Sequence, residues 1–168
     1  MMQLSTERLL LRPFKRSDWH ALHQILSDVD VMQYSLNGPY SVQKSKAFLE
    51  QCILRSNNNE PTLLAAIDKH TQQLIGSCGF FPQTIQRVAE LELGYRFAKD
   101  YWGKGLATEA TLALKRYAFN EMKLTRLISL INSHHIASIR VAEKNKFRLE
   151  KKMLYAGKIP ISMYAVMR

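Results

Sequence analysis

The stretch "ELGYRFAKDYWGKGLATEA", residues 92–110, decides how this chain is read. It begins inside an alternating run, 89–97, in which Glu90, Glu92, Gly94 and Arg96 point one way and Leu91, Leu93, Tyr95 and Phe97 the other. It ends in a run with apolar residues at helical spacing. Between the two stand Gly103, Lys104 and Gly105. The first N–H groups of a helix lack partners and its N-terminus is partially positive, so a glycine loop opening a helix cradles anions. Glycine permits the tight backbone that aims several amides at one anion, and the small Ala107 and Thr108 let a ligand come close.

Three nucleotide readings compete for that loop. A nucleoside-triphosphate P-loop requires GxxxxGK[ST], which "GKGLATE" lacks. A dinucleotide fingerprint requires a third glycine, where this chain has Thr108. It also wants an acidic residue about twenty positions on, where the chain runs through the apolar "RLISLIN". The pyrophosphate of coenzyme A is the third reading, beside the plain alternative of a glycine turn that starts a helix.

Outward from the loop, "RLLLRPF" (8–14) reads as a first strand ended by Pro13. Ser17 or Asp18 can cap a helix to about Ser27, with Trp19, Leu22, Ile25, Leu26 and Val29 on its apolar face. Ser41 starts a second helix carrying Val42, Leu49, Cys52 and Ile53, and "RSNNNEP" (55–61) is a connection. "TLLAAID" (62–68) and "QLIGSCGFF" (73–81) flank a short turn as in a hairpin. Residues 107–120 form a helix, 125–132 a buried strand of the parallel kind, 138–146 a shorter helix and 158–168 a last strand. The order is β-α-α-β-β-β-loop-α-β-α-β.

The chain has 168 residues, 46% of them hydrophobic, which suits one domain over 1–168 with a sizeable core. No apolar run approaches the ~18–20 residues that span a bilayer. "MMQLSTERLLLRPF" has arginines inside its apolar run and no small-residue cleavage site, so it reads as a strand rather than a signal peptide. Cys52 and Cys78 form no CxxC pair and sit in apolar segments, as buried free thiols of a cytoplasmic protein do. The five histidines show no HExxH pattern, so metal catalysis is not expected. The formal charge of +10, from 24 basic and 14 acidic residues, favours anionic partners: a phosphorylated cofactor, RNA or an acidic surface.

"ELGYRFAKDYWGKGLATEA" closely resembles the acetyl-CoA motif of the GNAT N-acetyltransferases, in particular the branch that acetylates ribosomal-protein N-termini. "TERLLLRPFKRSDW" is similar to that branch's opening strand and helix, "IGSCGF" to its central hairpin strand, and "NSHHIASIRVAEKNKF" to its next motif, so the resemblance covers nearly the whole chain. It implies an α/β fold of α+β mixed type: a central, mostly antiparallel twisted sheet flanked by helices. Departures stand at Trp102, where the broader family often has Gln or Arg, at His135, where a second asparagine is usual, and at Lys146, where glycine is usual. Ala142 replaces the tyrosine that many members use as general acid.

The resemblance implies that the strand bearing Leu93, Gly94, Tyr95 and Phe97 splays from its neighbour, freeing backbone groups for the pantetheine arm of acetyl-CoA. The amides of Trp102, Gly103, Lys104, Gly105, Leu106, Ala107 and Thr108 then hold the pyrophosphate, with further contacts at Asn132, His135 and Ser138. An amine attacks the thioester directly in a ternary complex, and a carboxylate takes its proton. Glu92 shares the face of Gly94 and is the expected base; Glu90, further from the loop, is second. Ser138 is the expected proton donor to the thiolate, although a serine there is also an ordinary N-cap; Tyr164 and Tyr155 are substitutes. A solvated loop lysine at 104 and a turn asparagine at 132 are the plain readings of those positions.

The acceptor is then a protein N-terminus or a small amine. The positive charge suits work beside the ribosome and opposes polyamines. Dimers are common in families of this kind. A different class, a non-catalytic acyl-CoA- or RNA-binding module, is kept open by His135, Ala142 and Lys146, yet the chain lacks an aromatic-and-basic RNA motif.

Overall fold

A short hairpin opens the chain: β1 (Leu4–Ser5) pairs with β2 (Leu9–Arg12), whose Leu9 and Leu11 are fully buried. Three helices follow, α1 (Trp19–Ser27), α2 (Val29–Met32) and α3 (Val42–Asn57). Then come β3 (Leu63–Asp68), β4 (Leu74–Ile85), β5 (Val88–Phe97), α4 (Leu106–Asn120), β6 (Arg126–Asn132), α5 (Ile136–Lys144), β7 (Arg148–Tyr155) and β8 (Ile159–Met167). This computed structural model describes residues 2–168. The strands make one eight-stranded sheet in the order β1-β2-β3-β4-β5-β6-β8-β7. Every neighbouring pair is antiparallel except β5 and β6.

Strand alternation buries residues on both faces. Leu9, Leu11, Leu64, Ile75, Leu93 and Leu127 of the strands pack with Leu114 of α4 and Ala142 of α5 in one core. On the other side Leu63 and Ala65 of β3 pack with Leu22 and Leu26 of α1 and Leu49 of α3. Each buried leucine contributes about 1.5–3 kcal/mol, so both layers are anchored independently of the loop between β5 and α4.

The structure corrects several expectations. Val29 does not extend the apolar face of α1: it is 70% exposed. Asp28 breaks the helix because its carboxylate accepts from the Asp30 and Val31 amides and caps α2 instead. Asp18 makes no N-cap bond to α1; its carboxylate takes the Lys15 amide and both terminal nitrogens of Arg12. Two strands lay outside the expected order: β1, of two residues, and β7, "RLEKKMLY", mostly exposed at the sheet edge. The last helix begins at Ile136 rather than Ser138 and stops at Lys144. Its end is a Schellman turn, with Phe147 N–H on Ala142 O at 3.0 Å and Lys146 N–H on Glu143 O at 2.9 Å. Lys146 has φ 69°, so the lysine in the glycine position is held left-handed.

Candidate functional site

β4 and β5 pair in unbroken register from Gly76↔Phe97 to Ile85↔Val88. β5 and β6 meet at a single ladder pair, Glu92↔Ile128. Beyond it the two parallel strands part, and Leu93–Phe97 keeps an edge unpaired with β6. The sheet is thus split in the middle, beside the segment the sequence singled out.

The loop into α4 lies at the open end of the split. Gly103 and Gly105 have φ 72° and 79°, the left-handed region that favours glycine. Gly105 is the N-cap and supplies no side-chain acceptor. None of the six backbone N–H groups from Gly103 to Thr108 donates to a protein acceptor among the described residues. Trp102 differs: its amide bonds Lys99 O at 3.0 Å and its indole Nε1 bonds Phe97 O at 2.8 Å, so the run of free amides starts one residue later. Lys104 Nζ lies over the Tyr101 ring, 5.1 Å from its centroid. Six free donors running into a helix N-terminus fit an anionic group such as a pyrophosphate.

A brace that the motifs did not disclose holds this loop. Glu109, in the first turn of α4, accepts from Thr6 Oγ1 at 2.5 Å, the Arg8 amide at 2.9 Å and Arg8 Nε at 2.7 Å. Arg8 Nη1 reaches on to Lys104 O at 2.7 Å. Burial alone would raise the Glu109 carboxyl, but these donors together hold it below the usual range. Partners about a hundred residues apart leave no local signal, which is why pattern reading missed them.

Glu92 sits where the strands part. Its carboxylate accepts from Gln83 Nε2 at 2.6 Å and, at 3.4 Å, from the Leu130 amide across the split. Its Oε1 lies 3.9 Å from where a Cβ on Gly94 would stand, so the two share one small space. Burial pushes the carboxyl up to about 7, against the pull of the Gln83 and Leu130 donors. Glu90 is differently engaged: Arg126 Nε lies 3.0 Å from both its oxygens, with Glu150 on the same guanidinium. That fork occupies the second carboxylate.

On the opposite face of β5, Tyr95 Oη donates to Ser138 Oγ at 3.1 Å, and His135 Nε2 lies 3.4 Å from the same oxygen. Ser138 stands within the first turn of α5, while His135 is the N-cap, so Ser138 does not cap the helix. His135 stacks on Tyr34 with ring centroids 4.2 Å apart, and burial lowers its imidazole. Burial likewise lifts the Tyr95 phenol to about 12. Ala142, where a tyrosine would reach inward, instead borders a cavity of about 10 Å³ shared with Tyr95, Thr111, Ser129, Ser138 and Phe147. Thr111 Oγ1 is sealed there without a partner, in space for about one water.

The remaining expected residues divide plainly. Leu93 and Phe97 are core side chains, so only their backbone faces the split. Asn132 Oδ1 accepts from the His134 amide at 3.0 Å, an Asx turn. Tyr164 is buried in the core and Tyr155 lies on β7 at the sheet's edge. Cys52 and Cys78 are free and buried, and burial raises both thiols. Among the described residues no cluster of metal-ligating side chains exists, and no helix is long and apolar enough to cross a membrane.

The family model described as "Acetyltransferase (GNAT) domain" matches residues 8–148. The chain belongs to the GNAT acetyltransferase family. The Bacillus subtilis protein YkkB is 36% identical over 167 residues, covering 96% of this chain and 94% of YkkB. The crystal structure of a GNAT-family acetyltransferase from Bacillus anthracis superposes with a TM-score of 0.84 at 30% identity, covering 99% of this chain and 98% of that one. RimL, a ribosomal-protein α-N-acetyltransferase solved in complex with coenzyme A, shares the fold with a TM-score of 0.82 at 23% identity, over 99% of this chain and 98% of its own. The mixed sheet with flanking helices is the GNAT fold.

Proposed function

We propose that this GNAT protein transfers the acetyl group of acetyl-CoA to the α-amino group of a peptide or amino acid, by direct attack in a ternary complex. The observation that carries the reading is the run of free amides from Gly103 to Thr108, opening beside a split whose inner end holds Glu92. The amides take the pyrophosphate, with Lys104 adding charge. The unpaired edge of Leu93–Phe97 offers backbone groups to the pantetheine arm, which brings the thioester to Gly94.

The acid–base groups lie on the two faces of β5. Glu92, with its carboxyl near 7, accepts the proton of the attacking amine. From an α-ammonium near 7.8 that transfer costs about 1 kcal/mol, whereas from a lysine ε-ammonium near 10.4 it costs about 4–5 kcal/mol. This difference favours an α-amine. Ser138 donates its proton to the departing thiolate, takes one in turn from Tyr95 Oη, and the phenol regains its proton from solvent as coenzyme A leaves. Small amines are the alternative acceptors, and the +10 charge suits an acidic docking surface such as ribosomal RNA.

Thermal unfolding with acetyl-CoA, NADP and GTP in separate wells tests the cofactor. A ligand at a hundred times its Kd adds about 2.7 kcal/mol, a rise of several degrees. A shift with acetyl-CoA alone, and coenzyme A thiol release with an α-amine acceptor, is the expected result. A shift only with NADP or GTP overturns the reading.

A further inference from the structure

Arg96 is the cation of the Glu90–Arg96 face, and among the described residues the fold gives it no carboxylate partner. It lies two positions beyond Gly94, with Ser77 of β4 as its ladder partner, and is only partly exposed. Its guanidinium Nη2 donates to Ser35 Oγ at 2.8 Å, in the loop between α2 and α3. Among the described residues no carboxylate lies within ion-pair distance of it. Arg8, Arg12, Arg16, Arg55 and Arg126 all have such partners, although Arg16 is far more exposed. Burial holds the guanidinium below its ordinary range, and the Tyr40 phenol acts weakly the other way.

A half-buried cation without a counter-ion is unfavourable unless something supplies the anion. Ser35 takes one of five N–H donors, and the remaining guanidinium nitrogens are not sealed, since Thr111 Oγ1 is the only sealed side-chain polar atom without a partner among the described residues. Free donors in a fixed fork match a carboxylate in two-point contact. Alternate residues of a strand stand about 6–7 Å apart on one face, so Arg96 is the next residue along the face that carries Gly94 and Glu92. Nearby, Lys44 Nζ sits 4.2 Å from the Tyr40 ring centroid, which adds positive charge to this side.

We infer that Arg96, with Ser35 and Tyr40, forms an anion seat on the acceptor side of the split, and that the acceptor is an amine carrying a carboxylate a few bonds from the nitrogen to be acetylated. The inference rests on the reading that amine attack occurs at Glu92 and Gly94, and it narrows the acceptor class. The carboxylate is the α-carboxylate of a free amino acid or the side chain of an acidic residue at a peptide's N-terminus. A polyamine, which offers Arg96 only positive charge, is disfavoured.

Binding tests this without turnover. Calorimetry on the protein saturated with coenzyme A compares two matched pairs: alanine with alaninamide, and Glu-Ala-amide with Gln-Ala-amide. The expected result is at least tenfold tighter binding of the carboxylate member in one pair, and the pair shows which source is used. In Arg96→Met the ratio falls to about twofold or less, and Arg96→Lys, which keeps the charge and loses the fork, lies between. A wild-type ratio below twofold in both pairs, no binding of any member, or a ratio that survives in Arg96→Met overturns the seat. Unfolding midpoints of both variants show that they are folded, and the wild-type comparison stands without them. Acetylation of these amines by wild type is scored separately: turnover with no carboxylate preference sinks the anion seat and leaves the acetyltransferase reading intact.

Discussion

Replacing Glu92 by glutamine removes the carboxyl that the fold holds near 7 and keeps its shape. Glutamate free in an unfolded chain titrates near 4.5, so the folded state binds this proton more tightly by about 2.5 pH units, or about 3 kcal/mol. The folded pKa is the raised one. The stabilisation is therefore fully present below pH 4.5 and is lost as pH rises through 7. At pH 8 ionised Glu92 weighs against the fold by up to about 3 kcal/mol, while a glutamine does not titrate. For a domain of this size 1 kcal/mol moves the midpoint by about 2–4 °C. The midpoint of Glu92→Gln should therefore gain on wild type by about 5–10 °C between pH 5 and pH 8, measured by calorimetry in matched buffers. In the same window wild-type kcat/KM should rise with an apparent pKa near 7, and the variant should lose that limb together with about 10²–10⁴-fold in rate. A midpoint difference that stays constant from pH 5 to pH 8 would refute the reasoning, because Glu92 would then titrate as an ordinary solvated carboxyl.

Three further outcomes follow from the geometry. Lys146→Gly relieves a left-handed lysine at the Schellman turn; after the glycine's own chain entropy, a net gain of up to about 1 kcal/mol should appear as a rise of 2–4 °C, and a fall would contradict the turn's assignment. Gly105→Ala meets no backbone clash, only Arg8 Nη2 at 3.5 Å, so its cost is the φ of 79° itself: about 1–2 kcal/mol, visible as weaker acetyl-CoA binding in calorimetry. Tyr95→Phe leaves Ser138 Oγ without its donor and should lower kcat more than it alters KM; a change in KM alone, read from initial rates, would place Tyr95 outside proton delivery.

Alternation in residues 89–97 and the glycines at 103 and 105 were legible because each carries its physics locally: a period of two for a half-buried strand, and positive φ for a cradle. Other features obeyed distant partners. The edge strand β7 is charged and mostly exposed, so no apolar pattern marks it; only pairing with β8 makes it a strand. Ser138 looked like a helix start because serine caps well, yet His135 takes that position and leaves the hydroxyl to Tyr95. Glu90 and Glu92 are equivalent by pattern. Arg126, which lies on another strand, separates the two by occupying Glu90 alone. The unpaired state of Arg96 is visible only once every carboxylate has been placed.

The brace between Arg8 and Glu109 joins positions 101 apart. A contact between positions so far apart repays its loop-closure entropy only when the first strand and α4 are both in place. Until the first strand has docked, α4 can form while the loop ahead of it has nothing to hold Lys104 O. A newly made chain with a loose amino end would therefore carry a formed helix and no working anion cradle. Affinity for an anionic ligand should therefore depend on whether the first strand has docked against α4.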